Sequence, residues 1–298
     1  MGSPEFALPS LNAAITAYDV AGVVTQPDRR SGRGRKIAFS PVKEAAQQAG
    51  ISVFQPVKIR AAEAVEQLKA WAPDLIIVAA FGQILSQEVL DLPAHGSLNL
   101  HASLLPRWRG ASPIQHAILH GDRQTGVTIM KMDAGLDTGP ILSQVVAEIR
   151  PDDTGSTLSE RLAELGARLL VETVPGYLSG RIAPAGQDED QATKAPLLKK
   201  ADGKLDFNRK AVELERQVRA FHPWPGTFLT LDGAILKVHA AEALPVALPP
   251  GARAVIDGFP VVGTTSSALL LRKVQPEGKT AMPGDVYLLG SPDWESAI

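Results

Sequence analysis

Cysteine is absent from the 298 residues, which excludes disulfides, thiolate nucleophiles and cysteine-based zinc sites and agrees with a reducing compartment. Aromatic residues make up only 5% of the chain, so a surface that stacks unpaired bases has little to be built from. Neither sign of charge dominates: a net −2 gives no global pull toward nucleic acid, and any such binding must rest on local basic patches. No apolar run reaches the roughly 18 residues of a membrane span, and the start shows no signal-peptide pattern. A cytosolic protein is expected.

What is present can bury a sizeable core, since 45% of the chain is hydrophobic, and the length suits two domains. From residue 41 the pattern alternates: helix 41–49, strand 51–54, helix 61–71, strand 74–80, helix 84–90. Such repetition predicts an α/β domain with a Rossmann-like, helix-covered parallel sheet. The run 75–80 is wholly apolar, as in a strand buried on both faces, and Phe81-Gly82 ends it. Further on, a helix 157–178 is expected with Ser156 as its cap, its Leu158, Leu162, Leu165 and Leu169 following helical spacing. Residues 181–207, with Pro, Gly, an acidic cluster and then Lys194, Lys199, Lys200 and Lys204, read as a linker between domains 1–180 and 208–298. Beyond it come a helix 209–221, the turn string HPWPG and short apolar segments that suit a small β-barrel.

Chemistry concentrates in residues 97–140. The segment 97–101 alternates polar and apolar positions, a strand signal that puts Asn99 and His101 on one face. A second apolar strand, 127–132, runs into the glycine-rich loop DAGLDTGP, in which Asp137 is the candidate third member. An amide donor, an imidazole and a carboxylate without a Ser or Cys nucleophile suit direct acyl transfer to an amine. Asn99 would donate to the oxyanion, worth roughly 3–4 kcal/mol for one such donor. His101 would stabilise the same oxygen or move a proton, while Asp137 orients His101 and takes the amine's proton directly or through water. No metal is required. His116 and His120, four apart on the next helix, are read as surface polar residues because no third ligand stands at a matching spacing.

The string NLHASLLPRWRGASPIQ, followed by TGVTIMKMDAGLDTGPIL, closely resembles the folate-dependent formyltransferase family, most of all its members that act on methionyl-tRNA. The resemblance implies 10-formyltetrahydrofolate as formyl donor and puts Asn99, His101 and Asp137 on the family's three catalytic positions. It implies that Ser103, Leu104, Leu105 and Pro106 form a folate-contacting turn and that the break at Phe81-Gly82 borders the same pocket. The cationic segment DRRSGRGRK, read from its glycines as a mobile loop, falls where the family grips the tRNA acceptor end. Arg33 and Lys36 are the strongest candidates there, with Arg29 and Arg35 beside them. The second domain is then an OB-like barrel that helps hold methionyl initiator tRNA through phosphate contacts along a duplex stem.

A monomer is expected. Residues 2–7 match the family's first loop without the short apolar strand that precedes it. The resemblance therefore implies a lost strand and a chain unstable or inactive as written, since unpaired neighbouring backbone would be exposed. Two rivals stand beside the tRNA reading. One is an enzyme on the same catalytic domain that formylates a sugar nucleotide or glycinamide ribonucleotide, or hydrolyses the formylfolate. The other is a non-catalytic folate- or RNA-binding remnant.

Overall fold

The computed structural model describes residues 1–31, 36–231 and 233–295. The chain divides into two compact units, one of Met1–Pro113, Gln124–Glu148 and Ser159–Ala195, the other of Ile114–Arg123, Ile149–Leu158 and Pro196–Ile298. Among the described residues no helix is long and apolar enough to cross a membrane.

The first unit opens with α1 (Leu8–Ala17) and β1 (Val23–Val24), then a ribbon of β2 (Arg29–Ser31) and β3 (Lys36–Ala38) paired antiparallel. The expected cationic loop lies largely between these two strands, and Arg33 and Arg35 lie outside the described residues. At the ribbon's base, Asp28 accepts from Lys43 Nζ at 2.5 Å and Gln55 Nε2 at 2.8 Å. These two bonds hold its carboxyl below the usual carboxylate range. α2 (Pro41–Gln48) is capped by Ser40, whose Oγ accepts from Lys43 N, with Pro41 already set for the first turn.

β4 (Val53–Phe54) pairs parallel with β1, α3 (Ala62–Trp71) follows, and β5 (Ile76–Val78) pairs parallel with β6 (Ser97–His101). Between them α4 spans only Gln87–Leu90, shorter than the helix 84–90 expected. Just ahead of it, Gln83 accepts from Ile59 N and donates to Pro56 O, tying the chain to the 56–59 segment instead of into a helix. Met1 and Gly2 bridge the two parallel pairs: Met1 N donates to Ile77 O, Ala79 N to Met1 O, and Gly2 N to Val24 O.

After α5 (Pro113–His120), β7 (Gln124–Lys131) and β8 (Ile141–Glu148) extend the sheet antiparallel in the order β5-β6-β7-β8. Its centre is densely apolar, with Leu98, Ile129 and Met130 all at 2% exposure or less, each worth roughly 1.5–3 kcal/mol of burial. α6 (Gly155–Leu178) starts two residues earlier than the cap at Ser156 implies, because Thr154 and Thr157 cap it reciprocally: Thr157 N donates to Thr154 Oγ1 and Thr154 N to Thr157 Oγ1. Pro175 inside α6 cannot donate to Val171 O, and the Tyr18 hydroxyl donates to that carbonyl instead.

The second unit carries α7 (Ala211–Ala220) and an antiparallel sheet of β9 (Thr227–Leu231), β10 (Ala234–Leu244), β11 (Arg253–Ile256), β12 (Phe259–Gly263) and β13 (Ala268–Pro276). The strand order is β11-β12-β13-β10-β9, and β14 (Met282–Pro283) lies on β13 ahead of α8 (Gly284–Leu289). Register shifts near Val238 and Ala240 bend β10, the local twist that curls a sheet toward a barrel. α7 lays Ala211, Leu214 and Val218 onto Leu229, Leu236, Leu269 and Leu271.

Two histidines of this unit carry a pH dependence. Burial lowers the His116 imidazole, outweighing its hydrogen bond to the Pro196 backbone, and burial first, then His239 and Lys273, lowers His222. The folded unit therefore binds fewer protons than the unfolded chain below the ordinary value of 6.5, so stability is full above that pH and is lost as the pH falls through the folded values. Denaturant midpoints for this unit should drop between pH 7.5 and 5.5, and His116→Gln should flatten the slope. A midpoint that rises on acidification would contradict the assignment.

Candidate active site

β5 and β6 run parallel, so the chain leaves both at the same end of the sheet. Asn99 pairs in register with Val78 and Met130, and His101 with Thr128. The alternation of β6 delivers Asn99 half-buried and His101 at 5% exposure on one face.

His101 is fixed from behind. Its Nε2 lies 2.9 Å from Trp108 O, and since a carbonyl only accepts, Nε2 carries the proton. That leaves Nδ1 facing Asp137 Oδ2 across 3.6 Å, beyond a direct hydrogen bond. Trp108 thus orients the ring, a partner that no reading of the sequence named. The signal is indirect: Trp108 has φ +64°, a bend that turns its carbonyl toward the strand it has just left.

Asp137 sits at the third corner. Its Oδ1 accepts from Asn99 Nδ2 at 3.3 Å and its Oδ2 from Gly110 N at 2.8 Å. Its backbone has φ +53°, strained for a residue with a side chain. The loop is shaped by Asp133, which accepts from Gly135 N and Thr138 Oγ1, and is closed by Lys131 N donating to Pro140 O. At Gly139 a Cβ would stand 1.9 Å from Lys131 O, so the closure requires glycine.

The turn after β6 is locked by β7 and β8. Thr128 Oγ1 donates to Ser103 O and accepts from Leu105 N, while Gln144 Nε2 donates to Leu105 O and Thr128 Oγ1. Ser103 Oγ donates to Arg107 O. Leu105 is buried, whereas Leu104 and Pro106 are half-buried. In the loop beyond β5, Phe81 packs its ring into the core at 2% exposure, and its carbonyl accepts from Gln26 Nε2. Gly82 beside it is exposed, with φ +78°. Thr128 and Gln144 were missed in the sequence because they pair across strands 16 residues apart.

Arg29 is exposed, and Lys36 forms part of β3. The rings of His116 and His120 lie 5.9 Å apart, with His120 Nδ1 turned onto His116 O. Among the described residues no group of three metal-ligating side chains is found.

An α/β sheet whose strand ends bring an amide, an imidazole and a carboxylate together beside a turn is an arrangement suited to group transfer at an acyl carbon. The chain belongs to the formyl transferase family: the family's model matches residues 7–174 and the model of its C-terminal domain matches residues 197–292. The methionyl-tRNA formyltransferase of Myxococcus xanthus is 48% identical over 97% of this chain and 93% of its own length. That of Bacillus subtilis is 45% identical over 98% and 93%. Among solved structures, WlaRD, a sugar 3N-formyl transferase, superposes with a TM-score of 0.68 over 94% of this chain and 97% of its own at 18% identity, a likeness of fold.

Proposed function

We propose that the chain transfers the formyl group of 10-formyltetrahydrofolate to the α-amino group of methionyl initiator tRNA. The observation that carries the chemistry is the meeting of Asn99, His101 and Asp137 within hydrogen-bonding or near hydrogen-bonding distance. The relatives at 44–48% identity over nearly full length support the acceptor.

In this reading the folate supplies an activated formyl carbon, held against the Ser103–Pro106 turn and the Gly82 backbone. Asn99 has two amide hydrogens; one goes to Asp137, and the other donates to the oxygen of the attacked formyl group as it gains negative charge. The neutral amine forms the new C–N bond and its proton passes to Asp137 or to His101 Nδ1. Since Trp108 O already holds Nε2–H, protonation at Nδ1 makes an imidazolium that faces the Asp137 carboxylate. As the bond from the formyl carbon to the folate nitrogen breaks, that proton goes back to the leaving nitrogen. All three groups come from one chain, so a monomer suffices, and the cysteine-free composition suits the cytosol.

Arg29, Arg33, Arg35 and Lys36 contact tRNA phosphates, and the C-terminal unit, from residue 208 onward, supports the stem. Arg33→Glu should raise KM for methionyl-tRNA about tenfold or more, leave kcat nearly unchanged, and lower the log–log salt slope by about one. The deciding assay compares methionyl-tRNA with an amino-sugar nucleotide as acceptors of the formyl group from 10-formyltetrahydrofolate. Transfer to the sugar alone would overturn the acceptor, and transfer to neither by the folded chain would overturn the reaction.

A further inference from the structure

Gln187 lies in a stretch that the sequence presents only as a linker, yet its side chain is built into the Asp137 loop. Its Nε2 donates to two backbone carbonyls of that loop, Asp137 O at 2.9 Å and Gly139 O at 2.7 Å. Its Oε1 accepts from Arg109 Nε at 3.0 Å. The amide has one acceptor and two donors, and all three are used with the only polarity that fits.

Arg109 is itself immobilised. At 7% exposure it is buried, and Glu189, two residues beyond Gln187, takes its guanidinium in two parallel bonds of 2.8 and 2.7 Å. The next residue, Gly110, donates its N–H to Asp137 Oδ2. The contacts close a ring: Arg109 side chain to Gln187, Gln187 to the Asp137 backbone, the Asp137 carboxylate to Gly110 N, and Gly110 back to Arg109. A residue with a side chain at φ +53° costs strain that its surroundings must offset, and the two hydrogen bonds to the carbonyls of Asp137 itself and of Gly139 just after it hold the chain there.

We propose that Gln187 is a positioning residue for formyl transfer: by gripping the carbonyls of Asp137 and Gly139 it fixes the bend that sets the Asp137 carboxylate between Asn99, Gly110 N and His101. The proposal rests on Asp137 being a catalytic residue, as argued above, and its test separates the two. Gln187's hydrogen bonds go to Arg109 and to backbone carbonyls, not to the three catalytic side chains, so its effect passes through the loop.

The test uses the full chain with Gln187→Met, which keeps length and removes every hydrogen bond, and Gln187→Glu, which still accepts from Arg109 but cannot donate to the carbonyls. Both should lower kcat about tenfold, the scale of two lost hydrogen bonds, with KM for both substrates within about twofold. Hydrogen exchange at the Gly110 amide reports the place of the Asp137 carboxylate without any chemistry, and it should quicken about tenfold in both variants. Asp137→Ala calibrates that probe, because it removes the acceptor outright. Should Gly110 exchange stay at its wild-type rate in both variants, or quicken with kcat unchanged, the positioning role is overturned. Full activity in Asp137→Ala would instead overturn the catalytic assignment of Asp137 while leaving the exchange result readable. If Gln187→Met fails to fold, Gln187→Glu, which keeps the Arg109 anchor, decides by the same two measurements.

Discussion

His101→Ala should lower kcat for formyl transfer by about 10³-fold, in the middle of the range for losing a positioned proton-transfer group, with KM for the folate and for methionyl-tRNA changed by no more than about threefold. The ring is buried at 5% exposure and its Nε2–H is committed to Trp108 O, so its reactive nitrogen is Nδ1, aimed at Asp137. Removing it takes away the group that becomes positive beside the oxyanion and leaves Asp137 without its partner. In the proposed mechanism His101 moves a proton and the substrates are held elsewhere, which is why the loss should fall on kcat. His101→Asn gives a second reading: an amide can still donate to Trp108 O and keep the turn in place, but it cannot accept a proton. If His101→Asn transfers formyl groups within tenfold of the unaltered chain, the imidazole is a spacer and the proton goes elsewhere. Steady-state kinetics with separate titration of each substrate would read this directly.

Much of the site was legible because its information is local. Residues 97–101 alternate, and the strand observed is Ser97–His101, so the shared face of Asn99 and His101 follows from a period of two. The DAGLDTGP loop announced itself by its glycines, and Gly139 is required where the loop closes on Lys131. What escaped the sequence are contacts between segments far apart in the chain. Trp108 O reaches back seven residues to His101, but Gln187 reaches fifty residues to Asp137 and Thr193 Oγ1 accepts from Trp108 N across 85. Periodicity carries no record of such pairings. The segment from Ala185 to Ala195 looked like a linker because it has neither helical nor strand spacing. Even so, its backbone bonds Ile141 at one end and Arg109 and Ser112 at the other. Its polarity, which reads as solvation in isolation, is the set of donors and acceptors that the loops of the site require.

That close approach gives the second large effect, at Gly110. Here φ is +125°, and an added Cβ would stand 2.5 Å from Ala195 O and 3.1 Å from its carbonyl carbon, backbone atoms that cannot swing aside. Ala195 N also donates to Arg109 O and Arg109 N to Thr193 O, so the two segments are tied together on both sides of the clash. Gly110→Ala therefore adds steric overlap to conformational strain, together about 3–5 kcal/mol, and should lower the melting midpoint by roughly 10 °C. It should also cut kcat more than stability alone accounts for, because relief of the clash moves the Gly110 N–H away from Asp137 Oδ2. Gly50→Ala separates the two costs: it has φ +71° and nothing within 4 Å of its added Cβ, so only the conformational part, about 1–2 kcal/mol, applies. A Gly110→Ala chain that melts with Gly50→Ala and keeps its turnover would mean that the 185–195 segment yields easily at that point. Rigid support of the Asp137 loop from that side would then be ruled out.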